Sequence, residues 1–126
     1  MKLTKNFSKS EFECNCGCNM PKDVLYNVQK VANQLQILRE LTGSIKVNSA
    51  YRCPKHNKKI GGVSSSQHIL GKACDIVISG YKPSKTFNLI ESLINECQLL
   101  QGGLGKYNNF THYDIRKNKA RWDYSK

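Results

Sequence analysis

No stretch of this sequence approaches the ~20 consecutive apolar residues that a membrane-spanning helix requires, so a helical span among these residues is excluded. The opening Met-Lys-Leu-Thr-Lys-Asn ahead of Phe7 lacks the apolar core of a secretory leader, and the expectation is a chain made in a cytoplasm. Acidic residues are scarce. Against 20 Lys and Arg stand 9 Asp and Glu, a formal net charge of +11 at pH 7. Such a deficit points to an anionic partner, either nucleic acid or an acidic cell wall. The basic residues never form a block of five or six, and the densest stretches are Lys55-Lys58-Lys59 and Arg116 to Arg121. That favours a diffuse field over a specific nucleic-acid footprint.

Repeats, low-complexity tracts and internal linkers are also missing. With 126 residues, 39% hydrophobic and 23% charged, the chain reads as one globular domain over residues 1–126, since two domains would each be starved of core. The expected state is a monomer. Six cysteines fall short of a disulfide scaffold. Cys14, Cys16 and Cys18 are spaced by one residue and no second pair follows in the pattern of a zinc knuckle, which weighs against a metal there. Bridges among them or to Cys53 in an oxidising space remain open.

Ser8-Lys9-Ser10-Glu11 has the form of a capping box and predicts a short helix that carries Phe12 inward. Val24, Leu25, Val28, Val31, Ala32, Leu35, Leu38 and Leu41 recur at three and four residues, an amphipathic helix stopped by Gly43. Ile45 to Tyr51 alternates as a half-buried strand, residues 54–72 read as a polar loop, and Ala73 to Ile78 reads as a second strand. A further helix opens at Ser84, with Phe87, Ile90, Leu93, Ile94, Cys97 and Leu100 on its apolar face. Leu104 to Tyr107 and Phe110 to Arg116 then form two strands joined by the turn Asn108-Asn109. The order predicts an α+β fold with a small, largely antiparallel sheet flanked by helices.

The chemistry gathers around histidine. On a strand, residues two apart share a face, so His112, Asp114 and Arg116 point one way. Three ionisable side chains in a row suit a site better than a buried face. Gly71 lets the chain turn so that His68 and Asp75 can converge. Two histidines and one carboxylate match a catalytic zinc, which keeps three protein ligands and lowers the pKa of bound water to about 7. The bland alternative makes His68 a loop cap, Asp75 a turn residue and His112 with Asp114 an exposed polar face. His56 sits between Lys55 and Lys58, whose charge disfavours a metal cation. Cys74 and Cys97 read as core.

The pattern Ser66-x-His68-x-x-Gly71-x-Ala73-x-Asp75, followed by His112-x-Asp114, resembles the M15 zinc peptidases, the D-Ala-D-Ala carboxypeptidase and murein endopeptidase family with the hedgehog/DD-peptidase fold. The likeness extends to Ser49-Ala50-Tyr51-Arg52-Cys53-Pro54, to His56-Asn57 with Gly61-Gly62, to the opening Phe12-x-Cys14-x-Cys16-Gly17-Cys18 and to the closing Arg121-Trp122. It implies one zinc per chain on His68, Asp75 and His112. It also implies an arginine, Arg52, that holds a substrate carboxylate or carbonyl, with Ser66 and Gln67 as hydrogen-bonding groups of the cleft.

Members of the family place an acid three residues before the last histidine ligand, where this chain has Asn109, and others end in His-x-His. Asp114 is therefore expected as the catalytic base, or as a partner positioning His112 or Arg52, or in another register as a ligand. The implied activity is hydrolysis of stem or cross-link peptides of peptidoglycan, as in a phage lytic enzyme acting on the cell wall. The alternatives are a catalytically weak wall-binding or phage structural module with the same fold, and a basic nucleic-acid-binding domain with its metal near Cys14 to Cys18.

Overall fold

The predicted cap closes: the Ser8 backbone N–H donates to Glu11 Oε2 at 2.7 Å, and a 3-10 turn over Lys9–Phe12 buries Phe12. In this computed structural model, which describes residues 1–126, the apolar spacing that follows becomes helix α1 over Lys22–Thr42. Its buried stripe is Val24, Val28, Val31, Ala32, Leu35 and Leu38. Leu41, expected on that stripe, is exposed in the last turn. Gly43 ends the helix at φ 109°, a conformation that side chains disfavour, with its N–H donating to Arg39 O.

Strand β1 runs over Ile45–Ser49. The segment read as loop then begins with a helix, α2 over Pro54–Lys59. Pro54 at its start is pre-set for helical φ, and Cys53 Sγ accepts the His56 N–H as a cap. So short a helix shows no apolar period. Strand β2 (Ala73–Ile78) leads to helix α3, which spans Pro83–Asn95 and stops short of the expected Leu100. Past its end Cys97 takes φ 60° and Gln98 N–H turns back to Leu93 O. Cys97 and Leu100 are thereby exposed, contrary to their reading as core, and Leu99 is buried instead.

Strands β3 (Gly103–Lys106) and β4 (Thr111–Asp114) form the expected hairpin, closed by Tyr107 N–H on Phe110 O at 3.1 Å around Asn108-Asn109. The C-terminus adds an unexpected strand, β5 over Ala120–Asp123. The sheet order is β1-β2-β4-β3-β5, antiparallel throughout except for the parallel pair β3 and β5. No helix is long and apolar enough to cross a membrane.

Strand alternation sorts the sheet into two faces. Cys74, Ile76, Ile78, Leu104 and Tyr113 join the α1 stripe and Ile90, Leu93 and Ile94 of α3 in one apolar core. The opposite face carries polar residues. Arg121 locks β5 to the sheet and to α3 by a two-pronged bond to Glu91 at 2.6 and 2.8 Å and by donating to Gly102 O at 2.7 Å. Arg121→Ala is expected to cost about 2 kcal/mol in urea unfolding. The Arg121 hydrogen bond holds the Glu91 carboxyl below its ordinary value. A depressed carboxylate stabilises above its unfolded pKa, so the gap between variant and wild type should narrow as pH falls through the depressed value.

Candidate metal centre and cleft

Register builds the site. Asp75 of β2 lies opposite His112 of β4, His112 opposite Gly105 of β3, and Gly105 opposite Trp122 of β5. These four positions form one row across the polar face. Gly105 has no side chain, which lets the His112 and Trp122 rings approach to 5.0 Å between centroids, and a Cβ there would run into the indole nitrogen. His68 reaches the same point from the loop before β2. Its backbone is pinned by Ser66 Oγ, which accepts the His68 N–H at 3.2 Å, and by the turn at Gly71, whose N–H donates to His68 O.

Hydrogen bonds decide which ring nitrogens are free. His68 Nδ1 lies 2.6 Å from Ala50 O, an acceptor only, so Nδ1 carries the proton and the Nε2 lone pair faces Asp75 Oδ2 at 3.3 Å. His112 Nε2 donates to Asp114 Oδ2 at 2.7 Å, which turns Nδ1 toward Asp75 Oδ1 at 3.0 Å. Two imidazole nitrogens and a carboxylate therefore converge, all within 4.8 Å of one another. The spacings of 3.0 and 3.3 Å suit the edges, about 3.3 Å, of a tetrahedron with 2.0–2.1 Å bonds to zinc. Each histidine also keeps a partner on its far nitrogen, as metal-ligating histidines do. The donor set fits a zinc ion.

Charge agrees with geometry. Burial pushes the Asp75 carboxyl up, but the neighbouring His112 and His68 rings outweigh it and draw the group down to about 2, so it is an anion at neutral pH. Burial alone would lower His112, yet the carboxylates of Asp114 and Asp75 hold it above the ordinary histidine value.

Asp114 is fully inaccessible. Its Oδ1 accepts from Gly103 N–H at 2.8 Å and its Oδ2 from Arg116 Nη2 at 2.6 Å, besides His112. Burial is outweighed by His112 and Arg116, which hold its carboxyl far below the usual range. A Cβ on Gly103 would collide with this carboxylate. The expected role of Asp114 as base does not suit this geometry: the group faces no solvent, every lone pair is engaged and it does not line the cleft. A partner that orients His112 is what the contacts describe.

The site opens into a cleft of about 420 Å³. Arg52, Ser66, Gln67, His68, Asp75 and His112, all anticipated, line it together. Arg52 lies in the segment between β1 and α2, with its N–H on His68 O, and its buried Nε has no partner in the protein. Ser66 is already engaged with the His68 backbone. Tyr107 and Phe110 also line the cleft and were not anticipated, and Arg116 and the Trp122 of the closing motif line it with them. Arg116 shares strand parity with His112, a legible signal. Trp122 is brought to the cleft wall by the parallel pairing of β5 with β3. His56 and Asn109 stand outside the cleft.

A convergent His, His, Asp donor set on the open face of an α+β sheet, at the floor of a cleft, has the makings of a catalytic metal centre with a position left for water or substrate. The sequence profile described as Peptidase M15 matches residues 5–114. The chain belongs to this family of metallopeptidases, and its α+β fold agrees with that membership. No curated protein sequence matches the chain.

Proposed function

We propose that the protein is a zinc-dependent peptidase that hydrolyses a peptide bond in the stem or cross-link of peptidoglycan. The observation that carries this reading is the convergence of His68, Asp75 and His112 in a cleft whose other charged residues are two arginines, Arg52 and Arg116. A positive cleft suits a peptide rich in carboxylates, and the net charge of +11 suits an acidic wall. A phage-type lytic enzyme fits both properties.

A zinc ion on His68 Nε2, His112 Nδ1 and the Asp75 carboxylate would supply a Lewis acid for the scissile carbonyl and lower the pKa of a water enough for it to lose its proton to solvent at neutral pH and serve as the nucleophile. Ala50 O and Asp114 hold the two rings in the required tautomers. Arg52, which lines the cleft, offers its planar guanidinium fork to a substrate carboxylate or carbonyl. Arg116, anchored on Asp114 and lying 5.3 Å over the Trp122 ring, presents a fixed positive charge to oxygen that becomes anionic. The Tyr107 hydroxyl accepts the Trp122 indole N–H at 2.9 Å, which leaves its own proton free for the departing amine.

Arg52→Lys keeps the charge and loses the fork. It is expected to lower kcat/KM by about 10- to 100-fold, the worth of a charge-assisted hydrogen bond, with metal content unchanged. The experiment that tests the whole reading is mass spectrometry of purified peptidoglycan after incubation, with and without chelator. Chelator-sensitive new peptide ends are expected, and their masses name the bond. A wall-binding module with the same fold has one observation in its favour: the cleft contains no carboxylate besides Asp75. Retention on peptidoglycan with bound zinc and no new ends would decide for that module.

A further inference from the structure

We propose that Cys14, Cys16, Cys18 and Cys53 form a second, structural zinc site. The fourth ligand that the cysteine run lacks in sequence is supplied by Cys53, the N-cap of α2. All four sulfurs lie within 4.8 Å of one another. Cys14 Sγ stands 3.2 Å from Cys16 Sγ and 3.8 Å from Cys53 Sγ, and Cys16 Sγ stands 3.6 Å from Cys53 Sγ. Four thiolates at 2.3 Å around zinc are separated by about 3.8 Å, so the cluster needs only a small expansion to hold the ion. Two of the sulfurs also accept backbone N–H groups: Cys53 N–H points at Cys14 Sγ and His56 N–H at Cys53 Sγ, each at 3.4 Å. Amides aimed at sulfur are the outer partners that a metal-bound thiolate uses.

Four soft donors with no open position suit a structural rather than a catalytic metal. The place explains the need. Residues 1–21 add no strand to the main sheet, although Phe7 and Phe12 are fully buried in the core. The main-chain tie nearest the cluster is Tyr51 N–H on Phe12 O at 3.0 Å. A metal clip here fastens the N-terminal arm to Cys53, the neighbour of Arg52 and the cap of α2, and so holds one wall of the cleft. The site stands independently of the peptidase reading.

The test uses the full chain carrying His68→Ala and His112→Ala together, which leaves every cysteine in place and removes the other metal centre. One zinc per chain is expected by elemental analysis, against two in the wild type, with intense thiolate-to-cobalt charge-transfer bands on replacement by Co²⁺. Adding Cys16→Ser should remove that zinc, and Cys16→His, which restores four donors, should retain it. A double-histidine variant without zinc overturns the proposal, whether its thiols are free or its mass shows disulfides. Zinc retained in full after Cys16→Ser overturns it as well. Should the histidine variant fail to fold, the wild type decides: two zinc per chain, one of them released by a mercurial thiol reagent, supports the site, and a single zinc untouched by that reagent overturns it.

Discussion

Alanine at position 112 is expected to remove the cleft metal and to lower peptide hydrolysis by more than about 100-fold, since loss of even an outer partner of a metal ligand costs 10- to 100-fold. His112 contributes the Nδ1 lone pair and also separates two carboxylates, Asp75 at 3.0 Å and Asp114 at 2.7 Å. Without the ring, two acidic groups face a void beside Trp122, and the remaining pair of donors cannot enclose zinc. Folding should survive, because Asp114 keeps Arg116 and Gly103 N–H. The expected stability loss is about 1–3 kcal/mol, the cost of hydrogen bonds left unmade. Elemental analysis should show one zinc fewer than the wild type, with far-UV circular dichroism unchanged. His56→Ala is the control, since His56 lies outside the cleft and should lose neither metal nor rate. Full activity after loss of His112, with no change in zinc, would remove this histidine from the site.

The site was legible in the sequence to the extent that local pattern encodes it. Strand parity put His112, Asp114 and Arg116 on one face, and the turn at Gly71 brought His68 toward Asp75. Both follow from spacing over a few residues. What spacing does not encode is which strands become neighbours. Trp122 enters the cleft wall because β5 returns parallel to β3, and Cys53 meets Cys14 because the N-terminal arm crosses to the N-cap of α2. Long-range pairing also decided the fate of Asp114. Its sequence neighbours allow a base, a ligand or a partner, and only the arrival of Gly103 N–H on Oδ1 closes it off from the cleft. The helical errors are of another kind. Apolar periodicity ran on through Cys97 and Leu100, although the chain turns at Cys97 and buries Leu99 in their place.

Asp114→Asn tests the positioning role of that carboxylate against the role of base. In the wild type Oδ1 and Oδ2 only accept, from Gly103, Arg116 and His112. Asparagine keeps one acceptor, and the main-chain N–H groups of Gly103 and Arg116 hold it at the Oδ1 position. The amide nitrogen then faces His112 Nε2 and Arg116 Nη2 with hydrogens of its own. Arg116 is repelled and can swing toward solvent. His112 can restore a bond only by taking the other tautomer, with Nε2 accepting and the proton moved to Nδ1, the atom that should offer a lone pair beside Asp75. Zinc must displace that proton, so its affinity is expected to fall by about 10- to 100-fold, and activity at limiting zinc should fall with it and recover in part at saturating zinc. A base acting on substrate predicts something else: unchanged zinc affinity and a loss confined to kcat that added zinc does not restore. Competition against a chelator of known affinity, read beside kcat at saturating metal, distinguishes them. Wild-type zinc affinity together with a kcat loss that zinc does not restore would return the base to Asp114, and would require the buried carboxylate to open toward the cleft during turnover.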